Sequence, residues 1–308
     1  MPKASVDDLA MMVLSKSKNA AELATSREYR VPPRLAGAYP QGCPLSTTLA
    51  WIGERGTRPG TLIGMRAHPV IGVLAGCGGA GASVFAAVLA GQAAQQDRHS
   101  FLLDCDPAGG GLDVLLGCEQ LAGPRWGQVR LAGTALDPAV LVDSLPRWQQ
   151  VSFLSADTGQ PLDPVPVTLV VQAARTASTV VIDLPRAPSE LRRAVLRACD
   201  LVVLVVVAEV RALTATALIA ADLDQDRTLV LVRGGTARSL SPGRIGELLC
   251  LPVLGRLPHD PASTRPGGLR LTDVRRRTRR MAATVLRAAT GDRSATPSRV
   301  SLAGFDAA

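Results

Sequence analysis

A regular alternation of short apolar segments with helical segments, beginning at Pro69, most constrains the fold of this 308-residue chain. Apolar runs predict strands at about 69–75, 99–104, 150–155, 179–183, 201–208, 228–233 and 252–255. Helices are predicted between them at about 83–96, 167–177, 188–198, 211–223 and 242–250. Strands that are apolar along their whole length are typical of parallel sheets, because both faces of such a sheet are covered. We therefore predict an α/β fold over residues 69–262, with a doubly wound, mostly parallel sheet and helices on both faces.

The two ends of the chain lack this alternation. Residues 1–68 are interrupted repeatedly by proline and glycine, and only short helices are predicted there, at about 5–15 and 46–54. Residues 263–308 contain a predicted basic amphipathic helix, followed after Gly291 by a small, polar segment that we expect to be disordered. The sequence thus predicts an irregular N-terminal extension, a central domain and a basic C-terminal extension.

Composition indicates in which compartment the protein works and whether it crosses a membrane. The longest apolar run, Leu201 to Ala208, has 8 residues, whereas a membrane-spanning helix needs about 20. Six cysteines are scattered without metal-binding spacing, which favours a reduced protein without a zinc site. A formal net charge of +8 permits contact with DNA or anionic lipid. We expect a soluble cytoplasmic protein, with any membrane contact limited to the inner face of the plasma membrane.

The segment from Gly76 to Ser83 has the frame of a phosphate-binding loop, because it follows an apolar strand and leads into a helix. Gly76, Gly81 and Ser83 match the pattern G-x-x-x-x-G-K-[ST], but Ala82 stands at the lysine position. Glycines let backbone N–H groups surround a phosphate, and the helix N-terminus adds positive potential. The missing charge cannot come from a later lysine, since the chain's lysines are Lys3, Lys16 and Lys18.

Acidic residues follow two of the predicted strands. Asp104 and Asp106 end the second strand, and Asp183 ends the strand at 179–183. In open parallel sheets, ligands bind at the carboxyl ends of the strands. These carboxylates are therefore expected to face the glycine loop.

This combination of loop and acids resembles the deviant-Walker ATPases of the MinD/ParA group, a P-loop NTPase family. Their loop reads K-G-G-x-G-K-[ST], and here the corresponding residues run from Cys77 to Ser83. The resemblance extends over about 69–262 and includes the segment Leu251 to Asp260. With its lysine-free loop and the segment Val181 to Arg186, the chain looks closest to actinobacterial CpaE-like proteins. These are the septum site-determining (Ssd) or helicase/secretion-neighbourhood proteins.

The resemblance implies a site for ATP or ADP with Mg²⁺. Ser83 would coordinate the metal, Asp183 would hold it through water with Asp104 as a further ligand, and Asp106 would position the attacking water. The nucleotide would be bound by Gly76, Gly78, Gly79, Ala80, Gly81, Ala82 and Ser83. The resemblance also implies protein partners in division or in secretion and pilus machinery, and a homodimer.

Both family lysines are absent, since Cys77 and Ala82 occupy their positions. Phosphoryl transfer depends mostly on positioning and charge stabilisation, so weak or no ATP hydrolysis is expected. The leading hypothesis is a septum site-determining regulator, of division or of envelope and pilus machinery, that acts mainly through partner binding.

Two alternatives stay open. One is a slow Mg-ATPase switch in which an arginine, Arg186 or Arg233, replaces the missing lysines. The other is a Rossmann-type oxidoreductase, because Gly76-x-Gly78-x-x-Gly81 is also a dinucleotide fingerprint and Asp104 ends the next strand. No Tyr-Lys, His or Cys set typical of such enzymes follows in the sequence.

The predicted C-terminal helix has two interpretations. Its apolar stripe consists of Leu271, Val274, Thr278, Met281 and Val285. The stripe either docks on the sheet, which leaves the arginines in solvent, or the segment Arg275–Arg280 contacts an anionic membrane surface or DNA.

Overall fold

The computed structural model describes residues 68–129, 136–157, 159–234, 239–261 and 267–291. All of them belong to the second of two units into which the chain divides, Met1–Gly64 and Met65–Ala308. The helices predicted at about 5–15 and 46–54, and the tail after Gly291 that was predicted to be disordered, lie outside the described residues.

Strands and helices alternate through the described residues. The strands are β1 Val70–Ala75, β2 Ser100–Asp104, β3 Arg147–Trp148, β4 Val151–Leu154, β5 Val180–Asp183, β6 Leu201–Val207, β7 Thr228–Arg233 and β8 Val253–Leu257. The helices are α1 Ala82–Asp97, α2 Leu112–Leu116, α3 Pro138–Ser144, α4 Pro164–Ala177, α5 Glu190–Ala198, α6 Val210–Ala220, α7 Pro242–Leu249 and α8 Arg276–Ala289. Short 3₁₀ turns occur at Trp126–Gln128, Gln225–Arg227 and Leu271–Asp273.

The strands form one eight-stranded sheet in the order β3-β4-β2-β5-β1-β6-β7-β8. All neighbours are parallel except β3, which runs antiparallel to β4 at the edge. The predicted doubly wound, mostly parallel sheet is therefore confirmed. The sequence analysis missed β3, α2 and α3, because elements of two, five and seven residues are too short to show a period.

The position of β5 shows whether the sheet has the strand order of a dinucleotide-binding fold. β5 lies between β1 and β2 and pairs in parallel with both. In the dinucleotide-binding fold, the second strand lies directly beside the first, so that its acid reaches a ribose bound over the first loop. The described sheet does not have that arrangement, so its topology does not support the Rossmann-type oxidoreductase alternative.

The sheet carries apolar side chains on both faces, and each face is covered by a different set of helices. On one face, Leu74 and Ile182 pack in a core with residues of α4, α5, α6 and α7. On the other, Ile71 and Val73 pack with α1, α2 and α8. Because both faces are buried, the strands need no polar alternation, which explains their continuous apolar runs.

The C-terminal helix α8 is part of this second layer. Val285 and Ala282 are fully buried, and the 3₁₀ turn before the helix places Leu271 beside Gly91 of α1, where a larger residue would collide with it. Asp260 Oδ2 accepts hydrogen bonds from the Arg275 N–H and the Thr278 hydroxyl, both at 2.9 Å, and so fixes the start of the helix.

Of the two interpretations of the apolar stripe, the structure supports docking on the domain. Leu271, Val274, Thr278 and Val285 are buried, and Met281 is half-buried. The arginines at positions 275, 276, 277, 280 and 287 are exposed. The helix that we assigned to an extension beyond residue 262 therefore packs in the core of the domain. None of the helices in the described ranges is long and apolar enough to cross a membrane.

Candidate functional site

The glycine loop connects β1 to α1 at the carboxyl edge of the sheet. Gly79 and Gly81 have φ values of +73° and +85°, a left-handed conformation that glycine adopts without strain. The Gly76 N–H donates to the Val205 carbonyl of β6 at 2.9 Å, which holds the beginning of the loop. The chain therefore turns sharply between the strand and the helix, as the sequence predicted.

The loop is supported on one side and open on the other. A Cβ atom added to Gly76 would collide with Thr216, a buried residue of α6. A Cβ atom added to Gly78 or Gly79 would meet no atom within 4 Å. Because the middle of the loop faces open space beside a helix N-terminus, the arrangement suits an anion such as a phosphate group.

Ala82, which stands at the lysine position, is the first residue of α1 and is only 5% exposed. Its methyl group packs in the core layer with α1 and the sheet. The position therefore contributes packing and no charge.

Two carboxylates meet beside the loop. Asp104 and Asp183 are register partners at the ends of β2 and β5, and both side chains are buried. The Ser83 hydroxyl donates a hydrogen bond to Asp183. Asp104 accepts from the backbone N–H groups of Asp106 at 3.1 Å and Leu112 at 3.0 Å. The structure thus brings together Ser83, Asp104 and Asp183, all predicted as metal-binding residues.

Burial and the negative charge of neighbouring carboxylates disfavour the charged forms of these two acids. Burial, reinforced by the nearby Asp104, raises the pKa of Asp183 to about 8. Burial also raises the pKa of Asp104 to about 6, with a further upward contribution from Asp106. Adjacent buried carboxylates without a cation are destabilising when both are ionised. The pair is therefore suited to a divalent cation, which would offset both charges.

The donor set fits Mg²⁺ bound together with phosphate. Within the described ranges, no three His, Cys, Asp or Glu side chains cluster so as to hold a metal alone. Mg²⁺ in phosphoryl-transfer sites is usually held by one or two carboxylates, with phosphate oxygens and water as further ligands. Ser83, Asp183 and Asp104 offer that kind of incomplete set. Asp106 lies half-buried beside it, and its Oδ1 accepts from the Ala108 N–H at 3.2 Å.

Burial disfavours ionisation of the two cysteines near the site. Burial raises the pKa of the Cys77 thiol, although Arg186 acts in the opposite direction. Burial, reinforced by Asp104 and Asp183, raises the pKa of Cys105 well above its ordinary value. A thiol must ionise to react, so the structure does not support a redox role for Cys77.

Sequence reasoning missed residues that support the site from a distance. The Trp126 indole N–H donates to the Asp104 carbonyl at 2.6 Å, and the Ser155 hydroxyl accepts from the Asp113 N–H at 3.0 Å. These contacts span 22 and 42 positions and follow no local period. A tryptophan in a loop rich in Gly and Pro was the one signal that could have been noticed.

Arg233, at the end of β7, contacts the glycine loop. Its Nη1 donates to the Gly79 carbonyl at 3.1 Å. A Cβ atom added to Gly81 would collide with the same guanidinium. The arginine that the sequence analysis named as one candidate replacement for lysine therefore lies on the loop in this structure.

We expect Gly81→Ala to lower the stability of the domain and to displace the Arg233 side chain. A non-glycine residue in the left-handed region costs about 1–2 kcal/mol, and the new methyl group would occupy the place of the guanidinium. Chemical denaturation measures the loss. Gly78→Ala is the matched control, because that position has open space and no positive φ, and its free energy of unfolding should change by less than about 0.5 kcal/mol. Equal stabilities of the two variants would contradict the conformation of the loop.

No protein-family model matches the chain. An uncharacterised protein of Mycobacterium tuberculosis, found in strains CDC 1551 / Oshkosh and ATCC 25618 / H37Rv, is 38% identical over 209 residues. The match covers 66% of this chain and 59% of the relative, so the chain spans about three fifths of that protein's length.

Several solved structures share the fold. A ParA family ATPase from Chlorobium tepidum has a TM-score of 0.62 at 17% identity, covering 73% of this chain and 99% of its own. A chain of the MinC:MinD cell division complex of Aquifex aeolicus has 0.57 at 18%, covering 72% and 96%. The septum site-determining protein MinD of Pyrococcus horikoshii, complexed with Mg-ADP, has 0.54 at 17%, covering 73% and 98%. The predicted resemblance to the MinD/ParA group is thus confirmed at the level of the fold.

Proposed function

We propose that this protein is a MinD/CpaE-like regulator of septum site determination that acts mainly through partner binding. By this proposal it positions division, envelope or pilus machinery, and its degenerate loop binds ATP or ADP with Mg²⁺. The observation that carries the proposal is a glycine loop open beside two buried aspartates, with Ala82 and Cys77 at the lysine positions. The shared fold with MinD and ParA proteins supports it.

The residues would divide the work of binding. The loop from Gly76 to Ser83 would hold the phosphates through backbone N–H groups. Ser83, Asp183 and Asp104 would hold the cation, and Asp106 would orient a water molecule. Bound Mg²⁺-ATP would supply the phosphoanhydride bond and the positive charge that offsets the carboxylates.

Slow turnover follows from the missing cations. Removing a positioned arginine from a phosphoryl-transfer site costs about 10³–10⁵ in rate, and this loop lacks two lysines. Backbone N–H groups survive the loss of side-chain charge, so binding is expected to outlast catalysis. Such a protein would use nucleotide as a slow switch or as a structural ligand.

The proposed partners are proteins of the division or secretion and pilus machinery, with a second copy of this chain as a further partner. One structural neighbour is part of a complex of two division proteins. The exposed arginines of α8 form the surface that we assign to an anionic partner, a membrane or DNA. Since the apolar stripe of that helix is packed in the domain, such contact would be electrostatic, without insertion.

Calorimetry with Mg-ATP, Mg-ADP, NAD and NADP tests the proposal. We expect Mg²⁺-dependent binding of ATP and ADP, no binding of NAD or NADP, and hydrolysis far below about 1 s⁻¹, the lower end of ordinary enzymes. Turnover at or above that rate would contradict a degenerate site. If neither ATP nor ADP binds, the nucleotide has no place in the proposal.

A second candidate, a genuine slow Mg-ATPase, is favoured by the contact between Arg233 and the loop. If this activity is intrinsic, Asp106→Ala and Asp183→Ala should each abolish it, because one variant loses the water-orienting acid and the other a metal ligand. Basal hydrolysis that persists in both variants would identify a contaminating enzyme.

A further inference from the structure

The loop lacks its lysine, yet a guanidinium group lies against it. Of the arginines in the described ranges, Arg233 is the one whose side chain forms a hydrogen bond to the loop, at the Gly79 carbonyl. This places a full positive charge at the edge of a cradle whose backbone already suits an anion.

The backbone of Arg233 is held firmly. Its carbonyl accepts from the Ala208 N–H at 3.1 Å, and it is the register partner of Val207 on β6 and of Leu257 on β8. β6 alone separates β7 from β1, so the two strands lie about 10 Å apart. An extended arginine side chain spans most of that distance, and its reach is set by the sheet.

The Arg233 guanidinium retains N–H donors for hydrogen bonds to a ligand. A guanidinium has five N–H donors, and the Arg233 contact recorded within the described ranges uses one of them on a neutral carbonyl. No ion pair in those ranges includes this arginine. The group also borders a shallow depression beside Gly81 and Pro258, which leaves room next to it.

Gly81 and Arg233 depend on each other. With any larger residue at position 81, the added Cβ would overlap Nη1 of the arginine and lie 3.1 Å from Cζ. Glycine at this position therefore serves two purposes, since it permits the positive φ and leaves space for the guanidinium.

We propose that Arg233 is a phosphate-binding residue that supplies, from β7, the positive charge that the loop lysine supplies in complete P-loops. This rests on the proposed function, because it concerns the same nucleotide. A guanidinium suits the purpose, since it forms paired hydrogen bonds to phosphate oxygens and stays charged at all physiological pH values. Arg233 thus compensates in part for Ala82.

Two other arginines serve as controls. Arg256, on the adjacent strand β8, makes the same kind of bond, from Nη1 to the Gly234 carbonyl at 3.2 Å. Among the described residues it forms no hydrogen bond to the loop. Arg186 is exposed and close enough to Cys77 to influence its thiol. Arg256→Ala removes an equal charge from a similar setting, and Arg186→Ala tests the rival candidate.

The experiment measures the affinity of the full chain for Mg-ATP, Mg-ADP and adenosine by calorimetry, with the melting temperature as a check of folding. We expect Arg233→Ala to weaken binding of Mg-ATP by about 10- to 100-fold, as is typical for the loss of a hydrogen bond to a charged group. Adenosine affinity should not change. Arg233→Lys should recover part of the loss, and Arg256→Ala should bind like the wild type. A larger loss of affinity in Arg186→Ala than in Arg233→Ala would assign the compensating charge to Arg186 and overturn the inference.

Other outcomes overturn the inference in distinguishable ways. If Arg233→Ala binds Mg-ATP as the wild type does, the inference fails and the proposed function stands. Tighter binding would show that the arginine blocks the loop. An equal loss of affinity for adenosine would assign it to the nucleoside. If the wild type binds no nucleotide, the nucleotide part of the proposed function fails, and this inference fails with it.

Discussion

Val285→Asp is expected to unfold the domain or to leave it barely stable at room temperature. Val285 is fully buried on α8, in the core layer that includes α1 and the sheet. A carboxylate there would have neither water nor a cationic partner, and a buried unpaired charge costs several kcal/mol or more. Typical domains have a total stability of about 5–15 kcal/mol. Thermal melting followed by circular dichroism measures the effect, and Val285→Ala should show a smaller loss of the same sign.

The matched control is Arg280→Gln, on the exposed side of the same helix. Its free energy of unfolding should stay within about 0.5 kcal/mol of the wild type, because the arginine is exposed to solvent. The pair also separates two uses of the helix. If Val285→Asp melted like the wild type but lost binding to anionic vesicles, the helix would be a membrane anchor and its packing on α1 would be wrong.

Asp183→Asn is expected to stabilise the protein in the absence of Mg²⁺ and to abolish Mg²⁺-dependent nucleotide binding. The variant removes one of two adjacent buried carboxylates, and the amide oxygen can still accept from the Ser83 hydroxyl. At neutral pH the folded wild type must hold this carboxyl either protonated, against its ordinary pKa, or charged beside Asp104. Both states cost free energy that the neutral amide avoids, so we expect a gain of roughly 1–4 kcal/mol. Denaturation and calorimetry on the same preparation measure the two effects. A gain in stability together with a loss of nucleotide binding is expected where residues of a functional site are unfavourable for folding.

The pH dependence gives an independent check. Burial and Asp104 raise the pKa of Asp183 to about 8 in the folded protein, from an ordinary value of 3.8. A raised carboxyl pKa contributes stability that is present below pH 3.8 and is lost as the pH rises towards 8. The advantage of Asp183→Asn over the wild type should therefore grow between about pH 4 and pH 8. Asp143→Asn, at an exposed position of α3, should show no such growth. A constant difference across that range would contradict the buried, adjacent placement of the two acids.

Much of the fold was predictable because its signals are local. An apolar run such as Leu201 to Ala208 indicates a buried strand on its own, and Ser241 followed by Pro242 predicts the start of a helix. The helix α7 does begin at Pro242, where the Ser241 side chain accepts from the Arg244 N–H. Elements such as the two-residue β3 carry too few residues for a pattern, and their place is decided by what they pack against.

The candidate site was predictable in its residues and not in its contacts. The pattern of Gly76 to Ser83 predicts an anion-binding turn, because glycine spacing and the strand–helix setting are properties of one short segment. The side chain of Ala82 could not be placed without the core around it. The choice between Arg186 and Arg233 was equally open, because Arg186 follows β5 and Arg233 ends β7. Only the side-chain contact with the Gly79 carbonyl shows that Arg233 reaches the loop.

The chain's own pattern determined the element types, the absence of both loop lysines and the acids at the strand ends, since each depends on residues close in sequence. Tertiary structure alone decided three things. The insertion of β5 between β1 and β2 made Asp104 and Asp183 neighbours, α8 buried its apolar stripe against α1, and β7 brought Arg233 to the glycine loop. Each of these three contacts joins residues that lie about 80 to 190 positions apart in the sequence. Contacts over such separations depend on the packing of the whole sheet and not on local sequence preference.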